Sequence, residues 1–336
     1  MAPESMNFFT RRQKRMLGKI VEKLNKAKKV AIFTHLNPDG DALGSSFAMK
    51  YVLESIGKEA VIYLEKELPG RFSYLGSEYV IGGKDTKSNA DTALVLDCAT
   101  FERMGTLADT CRAVPCILSV DHHYSGDSFG NWCHKEVASA ATAQIVYKLA
   151  CRLTEDIPVA ACEAMYTGLS TDTGHFKYSN VTPETFETAA ALLSRGINHR
   201  KITEILYDTV KYEKLIFMGK AAERIEFFAG GRVAMLKCPE DFIGTYGLKY
   251  DDVEELPNIA LSVVGVEVAI LVKDKDETSK RVSLRGKDVL DVSRAASMFG
   301  GGGHKNAAAF VAEGDVDAVL QKLVNIITEN LGESNV

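Results

Sequence analysis

The chain has 336 residues, 46% of them apolar and 25% charged, with a formal net charge of −5. That length favours two domains over one and is ample for two real cores. The acidic balance argues against broad recognition of a phosphate backbone, which needs a basic footprint, but it accommodates a short or single-nucleotide substrate neutralised locally.

The seven cysteines form no Cys-x-x-Cys pair, so reduced thiols in a cytosol fit better than a disulfide framework. No apolar stretch has the length of a signal-like core or a membrane span, and a cytoplasmic protein is expected.

Residues 9–29 read as a basic amphipathic helix, with Met16, Ile20, Leu24 and Ala27 at helical spacing and a solvated basic face. Apolar strand-like runs at 30–33, 60–64, 93–96 and 116–120 then alternate with helical patterns at 42–56, 138–153 and 159–169. That alternation predicts an α/β fold with a doubly wound, mostly parallel sheet. Thr182 followed by Pro183 marks a further helix start. Residues 201–228 are helical and charged in pattern, as expected of a connector. Beyond them, 232–236, 259–272 and 281–285 read as strands of a second, smaller α/β unit, punctuated by Gly230-Gly231 and by Gly300 to Gly303.

Four polar islands interrupt the first half. The first holds His35, Asp39 and Asp41, directly after the strand at 30–33, with Gly40 permitting a tight turn. Asp97 follows the run 93–96 and would by itself be read as a cap or turn residue. Asp121, His122 and His123 end the run 116–120. Adjacent histidines in extended chain point in different directions, so one can bind a metal while the other faces a substrate. Asp172 lies in a polar turn flanked by Gly168 and Gly174, with Ser170, Thr171 and Thr173 available to orient carboxylates.

His35, Asp39, Asp41, Asp97, His122 and Asp172 together are too many ligands for one structural zinc, and none is a thiolate. They suit two divalent ions sharing a bridging carboxylate, and mixed imidazole and carboxylate ligation favours Mn²⁺. A fifth island, Gly300 to Gly303 with His304, Lys305 and Asn306, lets backbone N–H groups approach an anion. Arg285 ends the run 281–285 as a candidate phosphate or base contact.

In order and spacing these motifs resemble the DHH phosphoesterase superfamily, named for a triplet such as Asp121-His122-His123, and within it the DHH–DHHA1 proteins. The C-terminal signature is Gly300 to His304. The resemblance covers nearly the whole chain. It implies a DHH catalytic domain at 1–198, a helical connector at 199–228 and a DHHA1 substrate-binding domain at 229–336, with an active-site cleft between the domains. It further implies that His35 and Asp39 hold one metal, that Asp41, His122 and Asp172 hold the other, and that Asp97 bridges them.

His123 would face the scissile phosphate, and Asp121 would orient the site. Arg103 would contact substrate, and Arg285, Gly301, Gly302, Gly303 and His304 would hold its terminal nucleotide or phosphate. One departure is Ala309, where the family commonly has glycine.

The implied activity is hydrolysis of short oligoribonucleotides to mononucleotides, with action on 3′-phosphoadenosine 5′-phosphate to give AMP. The alternatives are a cyclic or linear dinucleotide phosphodiesterase and, with less weight, a non-catalytic nucleotide sensor. Long nucleic acids and membranes are not expected as partners, and a homodimer is compatible with the sequence.

Overall fold

The computed structural model describes residues 11–333 apart from 125, 127, 254, 255 and 288. The chain divides between Asp208 and Thr209 into two compact units. Each is built on a six-stranded sheet.

The first unit begins with α1 (Arg11–Lys26), which buries Leu17, Ile20 and Leu24 and leaves Met16 half-buried; the expected helix start at Phe9 lies outside the described residues. There follow β1 (Lys29–Phe33), α2 (Gly40–Ser55), β2 (Glu59–Leu64), β3 (Val80–Ile81), β4 (Thr92–Leu96), α3 (Ala108–Arg112), β5 (Cys116–Asp121) and β6 (Trp132–Lys135). Four helices complete the unit: α4 (Thr142–Leu153), α5 (Val159–Asp172), α6 (Pro183–Leu193) and α7 (His199–Thr203). Thr182 caps α6, its hydroxyl accepting from the Thr185 amide while the Thr185 side chain accepts from the Thr182 amide.

The strands run in the order β3-β2-β1-β4-β5-β6, all parallel. Val30 and Ile32 of β1 pack in the core that holds Leu43 and Ile145, whereas Ala31 and Phe33 pack with Val95, Met104 and Leu107. A strand buried on both faces has no alternation to show, which is why these strands read as continuous apolar runs. The edge strands β3 and β6 carry no such run, and the sequence reading missed both. The strand order reverses between β1 and β4, and in open α/β sheets ligands bind outside the carboxyl ends of strands at such a switch point.

The second unit comprises α8 (Tyr212–Ala222), β7 (Glu226–Phe228), β8 (Val233–Cys238), α9 (Glu240–Gly244), α10 (Leu256–Leu261), β9 (Val268–Asp274), β10 (Ser279–Gly286), α11 (Val292–Ser297), β11 (Gly302–His304), β12 (Ala307–Glu313) and α12 (Val316–Glu333). Its order is β11-β12-β10-β9-β8-β7, and only β8 and β9 pair in parallel. Two expectations are corrected. The helical stretch at 201–228 breaks after Asp208 and ends in strand β7. The strand expected at 259–272 is the end of helix α10 followed by β9, because an apolar run of this kind does not distinguish a buried helix from a strand.

One face of this sheet is covered along its length: Val233, Ile270, Leu284 and Phe310 pack with Leu323 and Ile327 of α12. On the other face, Leu236 and Leu271 pack with Phe217 and Ile243. Further along that face Arg281, Ser283, Arg285, Ala307 and Ala309 are exposed or half-buried. Among the described residues of the chain, no helix is long and apolar enough to cross a membrane.

Candidate metal centre and active site

His35 and Asp39 follow β1, Asp41 stands in the first turn of α2, Asp97 follows β4, Asp121 ends β5, and Asp172 is the last residue of α5. All belong to the first unit. Two glycines bring the helix-borne ligands together. A Cβ on Gly44 would lie 2.4 Å from the Ala164 carbonyl oxygen, and one on Gly168 would lie 2.7 Å from Asp41 Oδ1. Helices α2 and α5 therefore approach at backbone distance, so that Asp41 and Asp172 both face His122.

The ligand atoms fall into three overlapping groups that could each hold a cation: His35, Asp39 and Asp97; Asp97, His122 and His123; and Asp41, His122 and Asp172. His122 Nε2 lies 3.5 Å from Asp172 Oδ2, 3.7 Å from Asp97 Oδ1 and 3.9 Å from Asp41 Oδ2. His35 Nε2 lies 3.9 Å from Asp97 Oδ2. The second ring nitrogen of each histidine faces a carbonyl: His35 Nδ1 is 2.9 Å from the Leu36 oxygen and His122 Nδ1 is 3.2 Å from the Ser139 oxygen. A carbonyl only accepts, so each contact is a hydrogen bond when Nδ1 carries the proton, and Nε2 is the ring atom turned toward the carboxylates.

The carboxylates are held as firmly. Asp39 Oδ1 caps α2, accepting from the amides of Asp41 and Ala42 at 3.1 and 3.0 Å. Asp41 accepts from the Thr142 amide at 2.6 Å, the Ala143 amide at 2.9 Å and the Ser45 hydroxyl at 3.3 Å. The first two bonds also explain why α4 starts at Thr142 rather than at 138: its first amides are capped by a carboxylate from α2. Asp97 accepts from the Thr142 hydroxyl at 2.8 Å and has φ of 53°. A left-handed backbone is uncommon outside glycine, and a site residue held in it is aimed by its surroundings.

Burial raises the carboxyl of Asp41 well above its usual range, reinforced by the charges of Asp97, Asp172 and Asp39. Burial likewise raises Asp97, with Asp39 adding to it and the three histidines opposing. Asp172 is pushed up to about 7 by burial, with His122 opposing and Asp97 and Asp39 adding to the rise. Asp41 and Asp97, deeply buried, and Asp172, half-buried, resist ionisation and face the Nε2 atoms of two imidazoles, a set that fits a divalent cation, whose charge offsets the repulsion.

His123 is different. Its Nδ1 lies 2.7 Å from Asp121 Oδ1, and that hydrogen bond raises the imidazole against the opposing effect of burial. Burial would raise Asp121, but the hydrogen bond and charge of His123 outweigh it and hold the carboxyl below its usual range. The pair therefore favours the imidazolium form of His123 beside the Asp121 carboxylate, an arrangement suited to donating a proton or meeting an anion. Arg103 is exposed, and its carbonyl accepts from the Leu36 amide at 2.6 Å, which ties it to the loop carrying His35.

The hydroxyls expected to orient carboxylates do otherwise. Thr171 and Thr173 bond carbonyls of their own helix, and Ser170 bonds Tyr207 and His175. Near a helix end a hydroxyl bonds the carbonyl one turn back more readily than a distant group. Ser45 and Thr142 take that role instead, and nothing but their place at a helix start or one turn after Asp41 marks them in the sequence.

In the second unit Arg285 lies opposite Ala307, and both Ser283 and Gly302 lie opposite Ala309. Gly301 and Gly303 are needed for packing: a Cβ on either would lie 2.3 Å from a β12 carbonyl oxygen. A Cβ on Gly302 meets nothing. The His304 side chain lies outside the described part of the structure.

The acid and imidazole clusters at the switch point of the parallel sheet fit a metal-dependent phosphoesterase, the class to which the family and relatives assign the chain. The chain belongs to the DHH family. The model of the DHH family N-terminal domain matches residues 29–169, and that of the DHHA1 domain matches 230–332. The bifunctional oligoribonuclease and PAP phosphatase NrnA of Thermus thermophilus is 30% identical over 308 residues, covering 90% of each chain. The protein of the same description from Bacillus subtilis is 22% identical over 306 residues, covering 90% of this chain and 95% of that one. The crystal structure of an exopolyphosphatase-related protein from Bacteroides fragilis shares the fold, with a TM-score of 0.89 and 24% identity, covering 97% of this chain and 99% of that one.

Proposed function

We propose that the protein is a two-metal phosphodiesterase that hydrolyses short oligoribonucleotides to mononucleotides and also converts 3′-phosphoadenosine 5′-phosphate to AMP, with Mn²⁺ as its cation. The observation that carries this reading is the sharing of Asp97 between one ligand group with His35 and Asp39 and another with His122. Support for the substrates comes from the Thermus thermophilus relative at 30% identity, a bifunctional oligoribonuclease and PAP phosphatase.

His35 and Asp39 would hold one ion and Asp41, His122 and Asp172 the other, with Asp97 available to both. Bound there, the cations supply charge to the transferring phosphoryl group and acidify the attacking water. His123, kept protonated by Asp121, gives its proton to the leaving oxygen. Arg103 contacts the phosphate from the β4 side. Arg285, the backbone of Gly301, Gly302 and Gly303, and His304 hold the terminal nucleotide or phosphate.

The test is Mn²⁺-dependent turnover of a ribodinucleotide, a long RNA, 3′-phosphoadenosine 5′-phosphate and cyclic di-AMP. Cleavage of the dinucleotide with the long RNA spared, and phosphate release from the third substrate, is the expected result. Turnover of cyclic di-AMP alone would replace this reading with a cyclic dinucleotide phosphodiesterase.

A further inference from the structure

A second buried polar cluster lies behind His122 and takes no part in the chemistry above. Glu136 is 5% exposed. Its Oε1 accepts from the Ser139 hydroxyl and from Lys148 Nζ, each at 2.5 Å, and its Oε2 lies 3.3 Å from Nε2 of the buried His134. Its own amide donates to the Asp121 carbonyl at 2.9 Å, and the Ser139 amide donates back to the Glu136 carbonyl at 3.0 Å. Lys148 also reaches Glu184 at 2.7 Å. Residues 136–139 thus form a turn tied at both ends, by main chain and by side chain. Its last carbonyl, that of Ser139, is the one facing His122 Nδ1.

We infer that Glu136 is a positioning residue: by clamping the 136–139 turn it fixes the Ser139 carbonyl, and that carbonyl commits His122 to the tautomer with a bare Nε2. The physical reason is that a neutral imidazole has two tautomers of similar energy, and the one adopted depends on which nitrogen meets a fixed acceptor. A side-chain acceptor could swing away or take up a proton. A main-chain carbonyl in a turn held by a buried carboxylate with three side-chain partners does neither. Outer groups of this kind typically change metal affinity about 10–100-fold when removed. The inference rests on the metal centre proposed above, but its first readout is made on the metal-free protein.

The experiment compares wild type, Glu136→Ala and Ser139→Ala by ¹⁵N NMR of the histidine ring nitrogens, with His122 assigned by its absence in His122→Gln. Mn²⁺ dissociation constants are measured by calorimetry on the same samples. Ser139→Ala removes only the hydroxyl tie to Glu136 and leaves the Glu136–Lys148 pair and the carbonyl in place. Wild type is expected to show His122 protonated on Nδ1. Both variants are expected to show mixed tautomers and Mn²⁺ binding about tenfold weaker.

Folded variants with His122 still wholly Nδ1-protonated and Mn²⁺ affinity within about twofold of wild type, well short of the usual loss, overturn the inference. If Glu136→Ala does not fold, Ser139→Ala decides alone. If no phosphoester is hydrolysed, the functional reading fails while the tautomer result still stands or falls by itself.

Discussion

The two units offer sites of opposite construction. In the first, function resides in side chains that the fold must work to keep: Asp41 and Asp97 are almost fully buried, and neighbouring carboxylates oppose their ionisation. In the second, the candidate surface is made largely of small side chains. Glycines lie against β12, alanines line the sheet face, and arginines stand along β10. Repulsion is built into the first site and would be relieved by a cation, whereas the second is shaped by steric absence and held by ordinary sheet pairing. Substitutions should therefore act differently in the two units, mainly on chemistry in one and mainly on affinity in the other.

The largest effect is expected at Asp97. Asn tolerates its left-handed backbone and preserves the bond from Thr142, so Asp97→Asn should fold normally. Turnover should nevertheless fall about a thousandfold or more through loss of the shared charge. Steady-state kinetics with a thermal melt checks both halves, and near wild-type turnover would remove the two-metal assignment.

Next is Arg285→Ala, for which KM should rise about 10–100-fold with kcat little changed, as expected for loss of a charged hydrogen bond that binds rather than reacts. A fall in kcat alone would erase the distinction between the units. Gly44→Ala should cost about 1–3 kcal/mol of stability in urea unfolding, since the added methyl meets the Ala164 carbonyl.

A smaller effect is expected from pH. Asp41, Asp97 and Asp172 have folded pKa values raised above their unfolded values, so their contribution is fully present below about pH 4 and is lost as pH rises, for Asp172 through about 7. The metal-free protein should melt at a lower temperature at pH 8 than at pH 5, and Mn²⁺ should raise the melting point more at pH 8. Calorimetry at the two pH values, with and without metal, tests the sign. The smallest change is expected for Gly302→Ala: stability within about 0.5 kcal/mol, because the methyl meets nothing in the protein. A rise in KM there would report contact with substrate.

The contrast also explains what could be read from the sequence. β1, β4 and β5 were legible because strands buried on both faces are unbroken apolar runs, and the place of the candidate ligands was legible because a polar residue soon after such a run stands at the sheet's carboxyl edge. The close approach of α2 and α5 was not legible. Gly44 and Gly168 lie in helical patterns where a glycine carries no mark of what it touches, and the helices that they join are far apart in the chain. The supports from Ser45, Thr142 and Glu136 were hidden for the same reason, since each acts through a partner chosen by tertiary packing. In the second unit, α10 was mistaken for strand because a short apolar run fits either structure.

The bonds from the Thr142 and Ala143 amides to Asp41 span 101 and 102 residues of chain. Contacts of such sequence separation form only when much of the domain has closed around them. An emerging polypeptide would carry Asp39 and Asp41 long before it carried the amides that orient Asp41 or the histidine opposite it. The complete set of candidate ligands is therefore a property of the finished fold, and a cation would meet all of them only after α4 has closed on α2.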